Sequence, residues 1–351
     1  MGAGDPVPRS LYIYAPNQGA PIFFTIAFAL SAVFHIWQCF RYKAFRLIGL
    51  HPICAVLFTV GYALREWGSY HYLFDPADRT PLVTFIVSQV FIYICPPLLE
   101  LSNYHILART FSYIPHCAPI PPTSVLSTFG GLMAIVELLN SLGVSFSANP
   151  SSSTAQQTLG GQLTIAAVSI QLGIITVFVG LAVGFQRRCA AAAAARGQAE
   201  AGGGRKVRTM LWTLYGSMGL ILVRCVYRLV EHAGYTHIEF RDIEALRRLS
   251  PLVRYEAFFY VFEASLMLVN SVVWNVWHPG RFLPHDSVTY LEVDGTEARR
   301  VKRGGNWASV VWMVANIATF GVLGLVFPRR ERNEEAHELR GGSQRSEAGM
   351  I

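Results

Sequence analysis

The stretch PIFFTIAFALSAVFHIWQCF, residues 21–40, contains no lysine, arginine, aspartate or glutamate in twenty consecutive positions. An α-helix rises about 1.5 Å per residue, so a helix of this length covers the roughly 30 Å hydrocarbon core of a bilayer. Apolar helices buried in soluble proteins are usually shorter. The stretch therefore predicts a membrane-spanning α-helix.

Stretches of the same kind recur along the chain. The sequence is 52% hydrophobic and only 15% charged, whereas a typical soluble domain has about 25% charged residues. The sequence therefore predicts an all-α, polytopic transmembrane bundle of seven helices, with a further apolar run that favours an eighth crossing. The predicted spans are 21–40, 47–67, 82–107, 124–146, 161–185, 210–232 and 256–277, followed by the run 307–327.

The distribution of basic residues predicts the side of the membrane on which each loop lies. With seven crossings, roughly twice as many lysines and arginines fall on the side of loops 41–46 and 186–209 as on the side of the N-terminus. Basic residues accumulate in cytoplasmic loops, so the N-terminus is expected outside. The predicted divisions are an extracellular N-terminus 1–20, a transmembrane domain 21–281, a basic connection 282–306, the apolar run 307–327 and a disordered charged tail 328–351.

Charged residues inside the sixth and seventh spans are placed to pair with each other. Ionisable side chains at membrane depth cost about 2.5–3.5 kcal/mol each, so each needs a partner or a function. Depth in an antiparallel helix pair predicts an ion pair between Arg224 and Glu263. It predicts a second pair, nearer the membrane surface, between Arg228 and Glu256. The residues that share these helix faces are Arg224, Arg228 and Glu231 on one span and Glu256, Tyr260 and Glu263 on the other.

These pairs have two interpretations. They are either interhelical struts that make buried charges tolerable, or the lining of a cavity for a substrate head group. Glu100 and Glu137 are further acids that either stay protonated or bind a cationic amine. Arg65 and Glu66 lie near a span end, which favours an interfacial pair. Polar amides within the spans join helices or line the same path, and these are Gln89, Asn140 and Gln171.

The sequence carries no catalytic or cofactor-binding motif. His35, His105 and His232 fall in different spans and form no zinc-binding HxxxH pair. No GxSxG motif and no P-loop is present, and none of the six cysteines lies in a CxxC pair. We therefore expect a protein that is not an enzyme and has no metal or cofactor. The basic residues lie beside apolar spans, so no nucleic-acid partner is expected.

The sixth and seventh spans carry a long sequence signature. It consists of LVRCVYRLVE at 222–231, YEAFFYVFE at 255–263 and HPGR at 278–281. Together these segments resemble the fungal RTA-like family of lipid-translocating exporters and toxicant-resistance membrane proteins. Shorter matches, such as Tyr14-Ala15-Pro16 and Gly61-Tyr62, extend the resemblance over about residues 11–290. It implies seven helices with the N-terminus outside, and it supplies no established site residue.

The resemblance implies a plasma-membrane protein that moves lipid-like amphiphiles, such as sphingoid bases or sterol-like toxicants, and so contributes to toxicant resistance. A cationic head group would pair with one of the buried acids while its tail stays in lipid. The alternative is a seven-helix receptor or membrane stress sensor, which has the same layout in form only. The expected partners are membrane lipids or amphiphilic small molecules, and no oligomeric state is predicted.

Overall fold

The described part of the chain is a bundle of long α-helices. The computed structural model describes residues 5–75, 77–148, 153–195, 202–234, 246–247, 249–284, 286, 288–292 and 296–299. The predicted eighth span 307–327 and the tail 328–351 lie outside these residues.

The long helices follow the predicted spans. They are α1 Ala20–Tyr42, α3 Leu50–Tyr70, α4 Thr80–Tyr113, α5 Pro122–Ala148, α6 Thr154–Ala194 and α7 Gly202–Ala233. A short helix, α2 Phe45–Ile48, joins α1 to α3. After α7 come α8 Pro251–Arg254, α9 Glu256–Phe259, a π-helical turn Tyr260–Ser265 and α10 Leu266–Val276. We call residues 256–276, which run on as one helix, the bulged helix. Two 3₁₀ turns, Pro115–Cys117 and Pro279–Arg281, complete the helical elements.

Six helices in the described residues are long and apolar enough to cross a membrane. They are α1, α4, α5, α6, α7 and the bulged helix with the turn after it. Their outer faces are apolar, as on α1, where Phe23 and Val33 are exposed. Helix α3 has 21 residues but is not among the six, because Arg65, Glu66 and His51 make it less apolar. The structure therefore supports a polytopic helical membrane protein, while the count of seven or eight crossings stays a prediction.

The long helices pack in chain order into a closed ring. Each contacts the next, and the bulged helix contacts both α7 and α1, while α4 also contacts α7 across the interior. The approach of α5 to α6 depends on a small residue, as is common between membrane helices. A Cβ atom at Gly143 would overlap Thr164 Oγ1 and lie 2.8 Å from the Gly160 carbonyl oxygen.

Aromatic rings fill the interface between α1 and α3. The Phe28 and Phe58 ring centroids lie 4.5 Å apart, and those of Phe24 and Tyr62 lie 5.3 Å apart. Phe24 also stacks on Tyr260 of the bulged helix, with centroids 5.5 Å apart. Offset stacking of this kind adds to the burial of the rings themselves. The stack fixes Tyr62 inside the bundle, where it faces the bulged helix.

Residues 5–19, which we call the N-terminal strap, lie across one end of the bundle. The Leu11 amide donates to the Tyr72 carbonyl oxygen at 2.9 Å. Tyr12 packs edge-on against Phe85, with ring centroids 4.8 Å apart. A Cβ atom at Gly68 would lie 2.5 Å from Tyr12 Oη, so the absence of a side chain there lets the strap approach α3. The strap thereby places Tyr14 and Asn17 over the bundle end.

A small β-hairpin packs at the C-terminal end of α4. Strands β1 Thr289–Leu291 and β2 Glu297–Arg299 pair antiparallel, and Tyr113 Oη donates to Glu297 Oε1 at 2.8 Å. The all-α prediction omitted this hairpin, which belongs to the predicted connection 282–306. The overlooked signal is Asp294-Gly295, a common hairpin-turn sequence, directly after the β-prone run VTYLEV at 288–293.

Candidate functional site

The predicted ion pair between α7 and the bulged helix is confirmed. Arg224 Nε donates to Glu263 Oε1 at 2.6 Å, and the two residues are only 6% and 1% exposed. The second carboxylate oxygen, Glu263 Oε2, has no hydrogen-bond partner among the described residues, and neither does Tyr62 Oη. The pair is therefore formed but still has unused capacity to bind a donor.

The second predicted pair, between Arg228 and Glu256, is not formed. Arg228 Nη1 donates to Glu231 Oε2 on its own helix at 2.5 Å, and its Cζ atom lies 4.6 Å from the centroid of the Tyr93 ring. Glu256 instead accepts from Arg65 Nη2 of α3 at 2.9 Å. A partner three residues away on the same helix satisfies Arg228 without any interhelical contact.

The π-helical turn gives a physical reason for this correction. Tyr260–Ser265 contains Glu263, so the bulged helix does not keep the 3.6-residue period across this region. A π-bulge adds a residue to one helical turn and rotates the remainder of the helix relative to the part before it. Glu256 and Glu263 therefore face different neighbours, the first α3 and the second α7. The spacing rule that placed both acids opposite α7 does not hold across such a turn.

Arg65 is buried, contrary to the predicted interfacial pair with Glu66. Only 2% of Arg65 is exposed. Its Nε donates to Tyr260 Oη at 3.3 Å and its Nη2 to Tyr14 Oη at 3.1 Å. Its Cζ lies 4.2 Å from the centroid of the Phe259 ring. Both carboxylate oxygens of Glu66 are buried without a partner among the described residues, so Glu66 does not neutralise its neighbour.

The N-terminal strap reaches the same ion pair. The backbone N–H of Asn17 donates to Glu256 Oε2 at 2.7 Å. The Tyr12 ring centroid lies 4.8 Å from Arg65 Cζ. Burial raises the pKa of the Tyr14 hydroxyl, although Arg65 opposes the shift. Tyr14 therefore stays protonated at neutral pH and accepts from Arg65. One network thus joins the strap, α3 and the bulged helix.

Glu100 lies on α4 in the interior and is shared with a neighbouring helix. It accepts from the Tyr104 hydroxyl and, through Oε2, from Gln171 Nε2 of α6 at 2.7 Å. Gln171 therefore joins two helices, as predicted for a polar amide. Glu137 of α5 is half-buried and hydrogen-bonded to the Asn140 side chain.

The remaining predicted residue is Gln89 of α4. It is half-buried, and its Oε1 is buried without a partner among the described residues. Sequence reasoning also missed two tyrosines, Tyr14 and Tyr62, which contact or adjoin the ion pairs. We call the buried set that connects the helices the charged core, and its members are Arg65, Tyr260, Glu256, Tyr62, Arg224, Glu263 and Glu100.

An open groove of about 620 Å³ lies beside α2, α3 and α4, and none of its lining residues belongs to the charged core. Its wall is mostly apolar, with Ile53 and Val56 on α3. Arg46, Ser102 and His105 are its polar members. Within the part of the chain that the structure describes, no group of three histidines, cysteines or acids is arranged to hold a metal ion.

Comparison with known proteins finds sequences that are similar to this chain. Residues 52–286 match the family model described as RTA1 like protein. The chain is 51% identical over 319 residues to "Lipid-translocating exporter-like protein RTA1" of Leptosphaeria maculans, covering 91% of this chain and 60% of that relative. It is 31% identical over 215 residues to a protein of the same name from Ajellomyces capsulatus, covering 61% and 63%.

A third relative carries a transporter name. The chain is 23% identical over 288 residues to "Probable lipid transporter atnI" of Emericella nidulans, covering 78% of this chain and 68% of the relative. The chain spans less than two thirds of the length of the first two relatives. No solved structure matches.

Proposed function

Because the chain belongs to the RTA1-like family, we propose that it moves lipid-like amphiphiles across a membrane and is not an enzyme. The names of three relatives, two lipid-translocating exporter-like proteins and a probable lipid transporter, support this class of activity. The substrates we propose are sphingoid bases and sterol-like toxicants, whose removal would contribute to toxicant resistance. The membrane we propose is the plasma membrane.

The observation that carries the proposal is the unused binding capacity beside the Arg224–Glu263 pair. Glu263 Oε2 and Tyr62 Oη are both buried and lack partners among the described residues. An unpaired buried polar atom costs about 1–3 kcal/mol, so a site of this kind favours a ligand that completes its bonds. A primary ammonium group offers three donors and matches a carboxylate oxygen and a phenol oxygen.

The charges around this pair also favour a cationic head group. Arg224 contacts Glu263 and also interacts electrostatically with Glu100 and Glu137, while the second arginine nearby, Arg228, is paired with Glu231. One arginine therefore faces more than one carboxyl group. An incoming ammonium would balance an ionised Glu100 or Glu137, whereas a neutral sterol-like molecule would leave that acid protonated. The amphiphile's tail stays among the apolar outer faces of the helices.

We propose that the described helices cross the membrane seven times with the N-terminus outside, and that the apolar run 307–327 is an eighth crossing. In addition to the six long apolar helices, α3 is a crossing, because it packs between α1 and α4 as a full member of the ring. Basic residues in the connections favour this orientation. The N-terminal strap and the Arg65–Glu256 pair then lie at the extracellular end, where the strap contacts both members of the pair.

The alternative function, a receptor or stress sensor, is favoured by the same strap. An external ligand that displaced Tyr14 from Arg65 would change the partners of Glu256, and the bulged helix would carry that change inward. A receptor does not need to move lipid itself. Lipid movement by the purified protein therefore separates the two functions.

The test is leaflet exchange of a fluorescent sphingoid base in liposomes that contain only the purified protein. The wild type is expected to exchange the probe faster than empty liposomes. Glu263→Gln removes a charge-assisted contact worth about 1.5–3 kcal/mol, so it is expected to slow exchange about tenfold or more. The matched control is Glu292→Gln, on an exposed hairpin position, and it is expected to behave as the wild type.

One result would contradict translocation itself, and another would contradict only the role of Glu263. Exchange no faster than in empty liposomes contradicts translocation and favours the receptor. Wild-type exchange by a monodisperse Glu263→Gln protein leaves translocation in place but removes Glu263 from the path.

A further inference from the structure

Three histidines are buried together at the end of the bundle opposite the N-terminal strap. His35 lies on α1, His51 near the start of α3 and His278 just after α10, and all three are fully buried. The His35 and His51 ring centroids lie 5.6 Å apart, and His278 is in electrostatic contact with both. None of the functional residues proposed above belongs to this cluster.

Each ring uses one nitrogen and leaves the other without a partner. His278 Nδ1 accepts the Gly280 amide hydrogen at 3.1 Å. His35 Nε2 lies 3.2 Å from Ser271 Oγ, and His51 Nδ1 lies 3.0 Å from Ser102 Oγ. Within the described residues, the nitrogens that remain unpaired are His35 Nδ1, His51 Nε2 and His278 Nε2.

The chemistry of these contacts gives the rings different roles. Because His278 Nδ1 accepts a backbone N–H, the proton of the neutral ring sits on Nε2, which has no acceptor among the described residues. Ser102 and Ser271 can accept as well as donate, so His51 and His35 can each present an unprotonated, unpaired nitrogen. The cluster therefore combines proton acceptors with one donor, all shielded from bulk solvent.

Further polar atoms around the rings also lack partners. Gln38 and Asn275 belong to the hydrogen-bond network of Ser31 and Ser271, and each has an unpaired buried oxygen. Both polar side-chain atoms of Asn270 are unpaired among the described residues. Buried polar groups in such numbers are normally completed by ordered water. An apolar occupant would leave them unsatisfied, and no metal-holding group of three exists among the described residues.

The cluster also has a route to its surroundings. Ser102, the partner of His51, lines the open groove beside α2, α3 and α4, and Arg46 and His105 line the same groove. Ser102 itself is only 1% exposed, so a single residue separates the groove from the His51 ring.

The groups that face the rings leave an added positive charge uncompensated. Tyr42 of α1 stacks on the His278 ring, and His35 of α1 faces the His51 ring. Trp274 of α10 also faces His51, with ring centroids 5.4 Å apart. Arg281 contacts Tyr42 at 3.2 Å and faces His278. The partners of the three rings are serines, a backbone amide and aromatic rings, with no acid among them in the described residues. A proton bound here therefore disfavours the observed packing of α1, α3 and α10.

We propose that His35, His51 and His278 form a hydrated proton-binding site, loaded through the groove at Ser102, whose protonation is coupled to amphiphile movement. The proton adds to the free nitrogen of His51 or His35 and gives an imidazolium, which donates from both nitrogens to water and serine. Because α3 carries both His51 and Arg65, and the bulged helix carries Glu263 and leads into His278, repacking at one end changes the other. The coupling rests on the proposed translocation, whereas the proton site itself does not.

The experiment imposes a pH gradient on liposomes containing the full chain and measures the steady-state leaflet distribution of a fluorescent long-chain alkylguanidinium. This probe keeps its N–H donors and stays charged at every working pH, so the gradient does not change its charge. One proton per transport event allows up to about a tenfold leaflet ratio per pH unit. Wild type is expected to build up such an asymmetry. His51→Gln and His35→Gln are expected to exchange the probe but to lose the asymmetry, while His71→Gln, an exposed loop control, keeps it.

A second measurement separates the two proposals. Detergent-solubilised protein in weak buffer is mixed with the probe, and proton uptake or release is followed with a pH-sensitive dye. Wild type and His71→Gln are expected to exchange protons on probe binding, and the His51→Gln and His35→Gln variants are not. If wild type exchanges lipid but ignores the gradient, the coupling is overturned and the translocase remains. If wild type moves no lipid, the translocase fails, and the dye signal alone decides the proton site. A stoichiometric metal ion lost in His51→Gln would overturn the proton site.

Discussion

Arg65 of α3 and Glu256 of the bulged helix form a 2.9 Å ion pair between side chains that are 2% and 11% exposed. The same two residues hold the N-terminal strap, since Arg65 donates to the Tyr14 hydroxyl and Glu256 accepts from the backbone N–H of Asn17. A single pair thus fixes a helix contact and the position of the segment that covers it. Changes at either residue are expected to affect bundle stability and strap docking together.

Replacing Glu256 with Gln is expected to loosen the strap. Arg65 loses its anionic partner, and the loss of a hydrogen bond to a charged group costs about 1.5–3 kcal/mol. The measurement is thermal unfolding in detergent together with the rate of tryptic cleavage after Arg9 of the strap. Both a lower midpoint and faster cleavage are expected, and Glu292→Gln serves as the matched control. Unchanged cleavage at a lowered midpoint would show that the strap is held by other contacts.

Two tyrosines in the strap allow a comparison that differs by one hydrogen bond. Tyr14 Oη accepts from Arg65, whereas Tyr12 Oη has no partner among the described residues. Tyr14→Phe is therefore expected to destabilise the protein by about 1.5 kcal/mol. Tyr12→Phe is expected to be nearly neutral, because its ring contacts with Phe85 and Arg65 remain. Thermal unfolding of the two variants side by side checks this order, and equal effects would contradict the assigned partners.

How far the sequence predicts this molecule depends on the range of each interaction. The span lengths and the Arg224–Glu263 pair follow from helix geometry, because matched depth in two adjacent antiparallel helices needs no other information. The side-chain partners of Arg65 are Tyr14, Glu256 and Tyr260, which lie 51, 191 and 195 positions away, and no local pattern connects them. The π-helical turn cannot be predicted from the sequence pattern either. It rotates the side chains after it about the helix axis, while the segment stays as apolar as an ordinary membrane helix.

The same limit explains why the histidine cluster was not predicted. His51 begins α3, and His278 follows the end of the bulged helix, so they meet only once the ring closes against α1. The separate histidines show no metal-binding spacing, and that is the only pattern a sequence search tests. The arrangement becomes visible through burial and unpaired nitrogens, which are properties of the packed bundle.

The close approach of α5 and α6 predicts a strong effect of a single methyl group. In Gly143→Ala the new Cβ would overlap Thr164 Oγ1 and lie 2.8 Å from a backbone oxygen of Gly160, so the helices must separate. Overpacking of this kind costs about 1–3 kcal/mol. Gly173→Ala in α6 is the matched control, because nothing lies within 4 Å of its Cβ position. The unfolding midpoint is expected to fall for the first variant and not for the second. Similar midpoints would mean that the two helices are further apart than described.

The central pair of the charged core can be tested as a strut and as a binding site at once. Arg224→Glu or Glu263→Arg alone leaves two like charges buried together, and losing a buried partner costs about 3–5 kcal/mol. Each single variant is therefore expected to express poorly or to aggregate in detergent. The double variant restores an ion pair with its ends exchanged and is expected to recover a monodisperse protein.

Recovery of folding separates the two roles, because a strut needs only opposite charges, whereas an ammonium head group needs a carboxylate beside Tyr62. In the double variant an arginine occupies position 263, so a cationic probe meets like charge there. Leaflet exchange is expected to stay at the level of empty liposomes although the protein is folded. Exchange at the wild-type rate in the folded double variant would mean that the pair is structural only, and the cationic head group would then have to bind at Glu100 or Glu137.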